Sequence, residues 1–188
     1  MYLAMDYISH YDSPLGGITM ASDGEALIGL WFVGQQYYAS TLGNKQELRW
    51  LPIFEETSRW LTIYFSGQEP HFTPLLRPRG TLFRSMVWQH LLAIPYAQTV
   101  SYAEIAHRIA QERGLKSMSA QAVGGAVGHN PISLIIPCHR VVGTDGSLTG
   151  YAAGLERKRW LLALERGKNT HSDSKSPSSE DILLFLHT

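Results

Sequence analysis

Cys138 is the only cysteine in 188 residues, and it lies in Ile135-Ile136-Pro137-Cys138-His139-Arg140-Val141-Val142. This run is apolar up to the cysteine and basic directly after it. That setting suits a nucleophile, because a nearby positive charge or proton acceptor lowers the cost of ionising a thiol. His139 is the adjacent candidate base. On an extended strand, neighbouring side chains point to opposite faces. A direct Cys138–His139 hydrogen bond therefore needs a turn, which Pro137 makes plausible, and a water between the two is the easier arrangement. A carboxylate would then orient the far imidazole nitrogen. Glu165, on the last helix of the same section, is the candidate. The competing reading is a buried structural cysteine beside a surface histidine.

The elements that must hold these groups fall into two sections. Ser13-Pro14-Leu15-Gly16-Gly17 reads as a turn. Ile18–Ser22 and Ala26–Phe32 read as strands around Asp23-Gly24. Apolar residues near helical spacing from Leu48 to Phe65, stopped by Gly67, predict a helix. Pro70, Pro74, Pro78 and Gly80 mark residues 68–80 as a linker. A small α/β domain is thus expected over 1–80. The second section, 81–167, reads as mainly helical. Phe83, Val87 and Leu91 repeat at helical spacing, and Pro95 is expected to end that helix. Ser101 with Glu104 forms a capping-box pattern for a second helix, broken by Gly114. Ser117 or Ser119 can start a third helix running to about Gly128, which outlines a helix-turn-helix. Leu155–Glu165 reads as a last amphipathic helix, and the Ser-rich polar tail, 168–188, is expected to be disordered.

Composition narrows the class. A hydrophobic fraction of 44% supports a real core. One cysteine excludes an internal disulfide and any multi-cysteine zinc site. The first residues, Met1-Tyr2-Leu3-Ala4-Met5-Asp6, lack a basic region followed by an apolar core, and no long apolar run occurs. A cytoplasmic protein with no membrane partner is expected. The zero net charge is uneven. Residues 1–83 carry five Lys/Arg against eight Asp/Glu, whereas residues 84–168 carry ten against five. The basic section is a candidate polyanion surface.

The segment Asn130-Pro131-Ile132-Ser133 through Pro137-Cys138-His139-Arg140-Val141-Val142-Gly143 resembles the active-site motif of the O6-alkylguanine-DNA alkyltransferases. Ser13-Pro14-Leu15-Gly16, Tyr64-Phe65-Ser66-Gly67, Gly80-Thr81-Leu82-Phe83, Val100-Ser101-Tyr102, Ala122-Val123-Gly124-Gly125-Ala126 and Gly150-Tyr151-Ala152-Ala153-Gly154 resemble family segments in family order, over roughly residues 11–167. The resemblance implies a ribonuclease-H-like α/β N-terminal domain and a mainly α C-terminal domain with a helix-turn-helix. It implies irreversible, single-turnover transfer of an alkyl group from guanine O6 in double-stranded DNA to Cys138, with O4 of thymine as a further candidate atom. On it, His139 acts as base through water, Glu165 holds His139, and Asn130 pins the turn. Tyr102 sits over the flipped nucleotide and donates a proton toward guanine. Tyr151 walls the base pocket, the Cys138 and Val141 carbonyls accept from the guanine amino group, and the Ala152 amide faces O6. Ser119, Ala120, Gln121 and Arg140 are the implied DNA contacts. Flipping is required because a base within a duplex cannot reach a buried sulfur.

The chain departs from the family pattern at a few positions. Gln121 stands where an arginine usually fills the gap left by the flipped base. Ala152 replaces a frequent serine. Ser133 stands where a proline narrows access in some members, so a roomy pocket is expected. Some larger members bind zinc through N-terminal cysteines; this chain has none, so no metal and no cofactor are expected, and a monomer is expected. A non-catalytic alkyl-lesion binder is the main alternative, disfavoured because such relatives lack the acceptor cysteine. A regulator would need an additional sensor domain, and a cysteine hydrolase would need turnover and an oxyanion site.

Overall fold

The computed structural model describes residues 5–167, so the 168–188 tail lies outside the described residues. The N-terminal half is a four-stranded sheet of β1 (Asp6–Ser13), β2 (Gly16–Ser22), β3 (Leu27–Phe32) and β4 (Gln46–Leu48), in the order β3-β2-β1-β4. β1 with β2 and β2 with β3 are antiparallel, and β1 with β4 is parallel. The Pro14-Leu15 turn is closed by Ser13 Oγ donating to the Gly16 carbonyl at 2.6 Å. At the next turn, Asp23 Oδ1 accepts from the amides of Glu25 and Ala26. The first helix, α1 (Pro52–Phe65), packs on β1 and β2. It begins at Pro52 rather than Leu48, because proline's missing N–H and fixed φ suit the first helical position, while Leu48 ends β4.

All six residues of β3 are buried, although β3 is the last strand of its sheet. Its open edge is closed by two other segments, the usual remedy for unpaired strand groups. Leu27 exchanges hydrogen bonds with Leu75 and Arg77 of the expected linker, and Leu30 with Pro131 and Ser133, just ahead of Cys138. The stretch 68–80 is therefore tied down rather than free. Arg79 adds a bidentate pair with buried Asp6, both bonds at 2.7 Å.

The C-terminal half holds α2 (Leu82–Leu92), α3 (Tyr102–Glu112), α4 (Ala120–Gly128) and α5 (Leu155–Glu165), with a short parallel pair, β5 (Val100–Ser101) and β6 (Val141–Val142). The α2 helix stops at Leu92, three residues before Pro95. Ser101 Oγ caps α3 by accepting from the Glu104 amide at 3.1 Å. The Glu104 carboxylate pairs with Arg108. Ser119 caps α4, and α3 packs on α4 as the helix-turn-helix pattern requires. One continuous apolar core joins the halves, from Ile18 and Leu30 through Trp88 to Leu161.

Candidate active site

The edge pairing of β3 fixes where the pre-cysteine segment begins, and Asn130 fixes how it turns. Asn130 Oδ1 accepts from the Ile132 amide at 3.0 Å. Its Nδ2 lies 3.2 Å from the Ile132 carbonyl, 2.8 Å from the Ile136 carbonyl and 3.1 Å from Cys138 Sγ. One side chain thus holds both limbs of the turn and the sulfur. Cys138–Arg140 then forms a single 3-10 turn after Pro137, so Cys138 and His139 are not consecutive strand residues.

Cys138 is buried, and burial pushes its thiol up. The Asn130 hydrogen bond and the charge of Lys158 pull in the other direction without prevailing. The resting thiol is therefore neutral. His139 is fully buried, and its Nε2 lies 2.7 Å from Glu165 Oε1. A carboxylate can only accept, so Nε2 carries the proton and Nδ1 keeps its lone pair. Among the described residues Nδ1 has no partner. Burial pushes the imidazole down, against the raising effect of Glu165, so the ring is neutral and can take a proton.

Glu165 is the hub. Its Oε1 accepts from Tyr64 Oη at 2.8 Å and its Oε2 from the Ala97 amide at 3.1 Å. The Arg140 guanidinium grips both oxygens at 3.0–3.3 Å and donates to the Ile94 carbonyl at 2.8 Å. Burial would raise this carboxyl, but His139 and Arg140 together bring it down to about 2. Arg140 is thus turned inward and mostly buried, so the expectation that it contacts DNA is corrected. Its charge is matched by Glu165.

The cation that faces the thiol is Lys158, which sequence reasoning missed. Its Nζ donates to the Val141 carbonyl at 2.6 Å, Thr149 at 2.8 Å and Gly150 at 3.3 Å. Burial lowers it to about 8. The Val141 carbonyl therefore already has one donor, leaving one lone pair for a ligand. Tyr64 was also missed as a functional group; its Oη lies 3.2 Å from His139 Nε2. A signal for Lys158 existed: α5 buries Lys158, Leu161, Leu162 and Glu165, so two charges share an otherwise apolar helical stripe.

Above this cluster lies an open groove of about 710 Å³, lined by Tyr102, Gln121, Gly125, Gly128, Tyr151 and Ala152 among others. Tyr102 Oη donates toward the Thr149 and Gly150 carbonyls at 3.1 and 3.3 Å. Burial raises both Tyr102 and Tyr151, and the nearness of the Cys138 sulfur adds to each. Ala120 and Gln121 open α4 on the groove wall, and Ser119 is occupied as the α4 cap. Ser133 is not on that wall. It is buried, and its Oγ donates to Gln35 Oε1 at 3.2 Å, so it ties the turn to the N-terminal half.

Fold and site define a two-part protein in which a buried cysteine and a buried histidine–glutamate pair lie beside a groove walled by a helix-turn-helix. Residues 82–167 match the family model described as 6-O-methylguanine DNA methyltransferase, DNA binding domain, and residues 7–77 match its ribonuclease-like domain. The chain belongs to the 6-O-methylguanine DNA methyltransferase family, with the α/β and helical halves read from its sequence. It is 43% identical over 182 residues to a methylated-DNA–protein-cysteine methyltransferase of Mycobacterium bovis, covering 94% of this chain and 98% of the relative. It is 42% identical over 161 residues to one of Haemophilus influenzae, covering 85% and 86%. A crystal structure of Mycobacterium tuberculosis OGT in complex with DNA superimposes with a TM-score of 0.74 at 40% identity, covering 87% of this chain and 94% of that one.

Proposed function

We propose that this protein repairs duplex DNA by moving an alkyl group from guanine O6 to Cys138 Sγ, once per molecule. The observation that carries the reading is the buried Cys138 thiol, held by Asn130 beside a His139–Glu165 pair whose Nδ1 is without a partner among the described residues. In the reaction His139 Nδ1 takes the thiol proton through a water. The S–C bond forms as the C–O6 bond breaks, and its electron pair stays with guanine. Tyr102 protonates the leaving base and is reprotonated by the imidazolium, so the thiol proton ends on guanine. The product thioether has no good leaving group, which makes the transfer irreversible. Glu165 remains ionised throughout, held by Arg140.

The reading extends to a monomeric, cytoplasmic protein acting on O6-alkylguanine without metal or cofactor. No helix among the described residues is long and apolar enough to cross a membrane. The direct test is incubation with duplex DNA containing O6-methylguanine, then intact mass and peptide mapping. One methyl on Cys138 per molecule is the expected result. Tight binding without a mass change would overturn the transfer reading in favour of a lesion binder.

A further inference from the structure

The N-terminal half reaches the groove by one loop, and nothing in the chemistry above uses it. Gln36 and Tyr37, just after β3, line the groove together with Tyr102 and Gln121. The Tyr37 ring stacks on His129, with centroids 3.9 Å apart and planes 25° apart. His129 closes α4, where its Nδ1 donates to the Gly125 carbonyl at 2.7 Å, a carbonyl that also accepts the His129 backbone amide at 3.3 Å. That bond fixes the imidazole, and the imidazole supports one face of the phenol. Tyr37 nevertheless remains 40% exposed.

The backbone at Tyr37 has φ of +58°, in the left-handed region that a tyrosine enters at a cost. It is held there from both sides. The Gln36 amide donates to the Ala152 carbonyl at 2.9 Å, on the Tyr151 wall. Tyr38 Oη bonds Thr19 Oγ1 at 2.8 Å, and its ring meets Trp31 edge-on. A backbone strained at one residue and fixed at both neighbours keeps a ring where packing alone would not put it. Tyr37 fills no core, and its one aromatic contact is the His129 ring on the groove wall.

We infer that Tyr37, backed by His129, is a stacking platform for a nucleobase of the DNA strand lying in the groove, an inference that rests on the repair reading above. A phenol with one covered face and one open face offers a flat, sequence-tolerant surface on which any base can stack. The N-terminal half thereby contributes directly to DNA recognition as well as closing the edge of β3.

The test uses the full chain and separates this contact from the chemistry. Single-turnover rates are measured on lesion-bearing duplex and on free O6-benzylguanine for the unaltered protein, Tyr37→Phe and Tyr37→Asn. Asparagine removes the ring yet tolerates the left-handed backbone, so the fold is spared. The expected result is a fall of about 10-fold in the duplex-to-free-base rate ratio for Tyr37→Asn, equivalent to about 1.4 kcal/mol, and an unchanged ratio for Tyr37→Phe. Dissociation constants for lesion duplex, measured in the Cys138→Ala background, should weaken in parallel. An unchanged ratio in Tyr37→Asn overturns the platform, as does an equal loss on both substrates. If the unaltered protein methylates no cysteine, the repair reading fails, while the binding arm still reports on Tyr37.

Discussion

Within the Tyr64–His139–Arg140–Glu165 cluster, one buried side-chain atom, His139 Nδ1, lacks a partner among the described residues. The floor of the groove is built the other way. A methyl group added at Gly125 or Gly128 of α4 would meet nothing within 4 Å, and one at Gly124 would reach only the Tyr102 ring at 3.8 Å. No neighbour forces glycine at Gly125 or Gly128, and glycine inside a helix costs about 1 kcal/mol against alanine. The cluster is saturated with bonds except at that one nitrogen. The groove is bare, at a cost in helix stability, which fits a surface that another molecule's backbone must approach closely. The cluster and the groove thus make opposite demands on packing.

The largest effect should come at the sulfur. Cys138→Ala should abolish transfer and leave lesion binding largely intact, because the groove needs no thiol. Mass spectrometry and a binding titration together check this, and methyl transfer by the variant would remove Cys138 as acceptor. Glu165→Gln should come next. It leaves the Arg140 guanidinium buried without its anion, a change that costs about 3–5 kcal/mol, readable by denaturant titration. The pH dependence carries a sign. Glu165 and His139 both have lowered folded values. Each therefore supports the fold above its unfolded pKa and loses that support as pH falls, His139 below about 6.5 and Glu165 from about 4.5 toward about 2. Glu165→Gln should flatten the acid limb of the stability curve between those two carboxyl values. His139→Ala should slow transfer by about 100-fold and remove the acid limb of the rate profile. A retained limb would mean that another group accepts the thiol proton.

The two regions also differ in how far they could be read from the chain. The Cys138 turn is local: Asn130 lies eight residues from the sulfur it touches, and Pro137 marks the break from strand geometry. The caps of α3 and α4 are local too, set by Ser101 and Ser119 three residues from their amides. What stayed hidden depends on chain reversal. Tyr64 reaches His139 across 75 residues and Glu165 across 101. Arg140 was expected as a DNA contact, whereas its partner, Glu165, arrives on α5. Two of the ten cations in the basic section, Arg140 and Lys158, are accordingly inside the protein, and the DNA face is less positive than the count suggested. β1 escaped notice because Asp6–Ser13 is polar with few buried positions, so no alternation of apolar residues announces it.

The groove should respond more gently. Gln121 opens α4 on the groove wall. A flipped base costs a few kcal/mol, and Gln121→Arg can recover part of it by filling the stack and pairing with a phosphate. A gain of up to about 10-fold on duplex is expected, with little change on free O6-benzylguanine. Equal gains on both would place residue 121 outside the flipping step.

Gly125→Ala is the smallest change and the most direct test of the comparison. The site is helical, has open space for a methyl, and does not need a left-handed backbone. On helix propensity alone the variant should be more stable by about 1 kcal/mol, or about 2–4 °C in a thermal melt. The same methyl stands on the groove floor, where a DNA strand would meet it, so duplex repair should slow by a few-fold as the fold strengthens. Opposite signs in the melt and the rate are the signature of a surface left bare for a ligand. If stability rises and duplex repair is untouched, Gly125 is bare for no reason connected with DNA, and the floor of the groove must be sought nearer Gly124 and Tyr102.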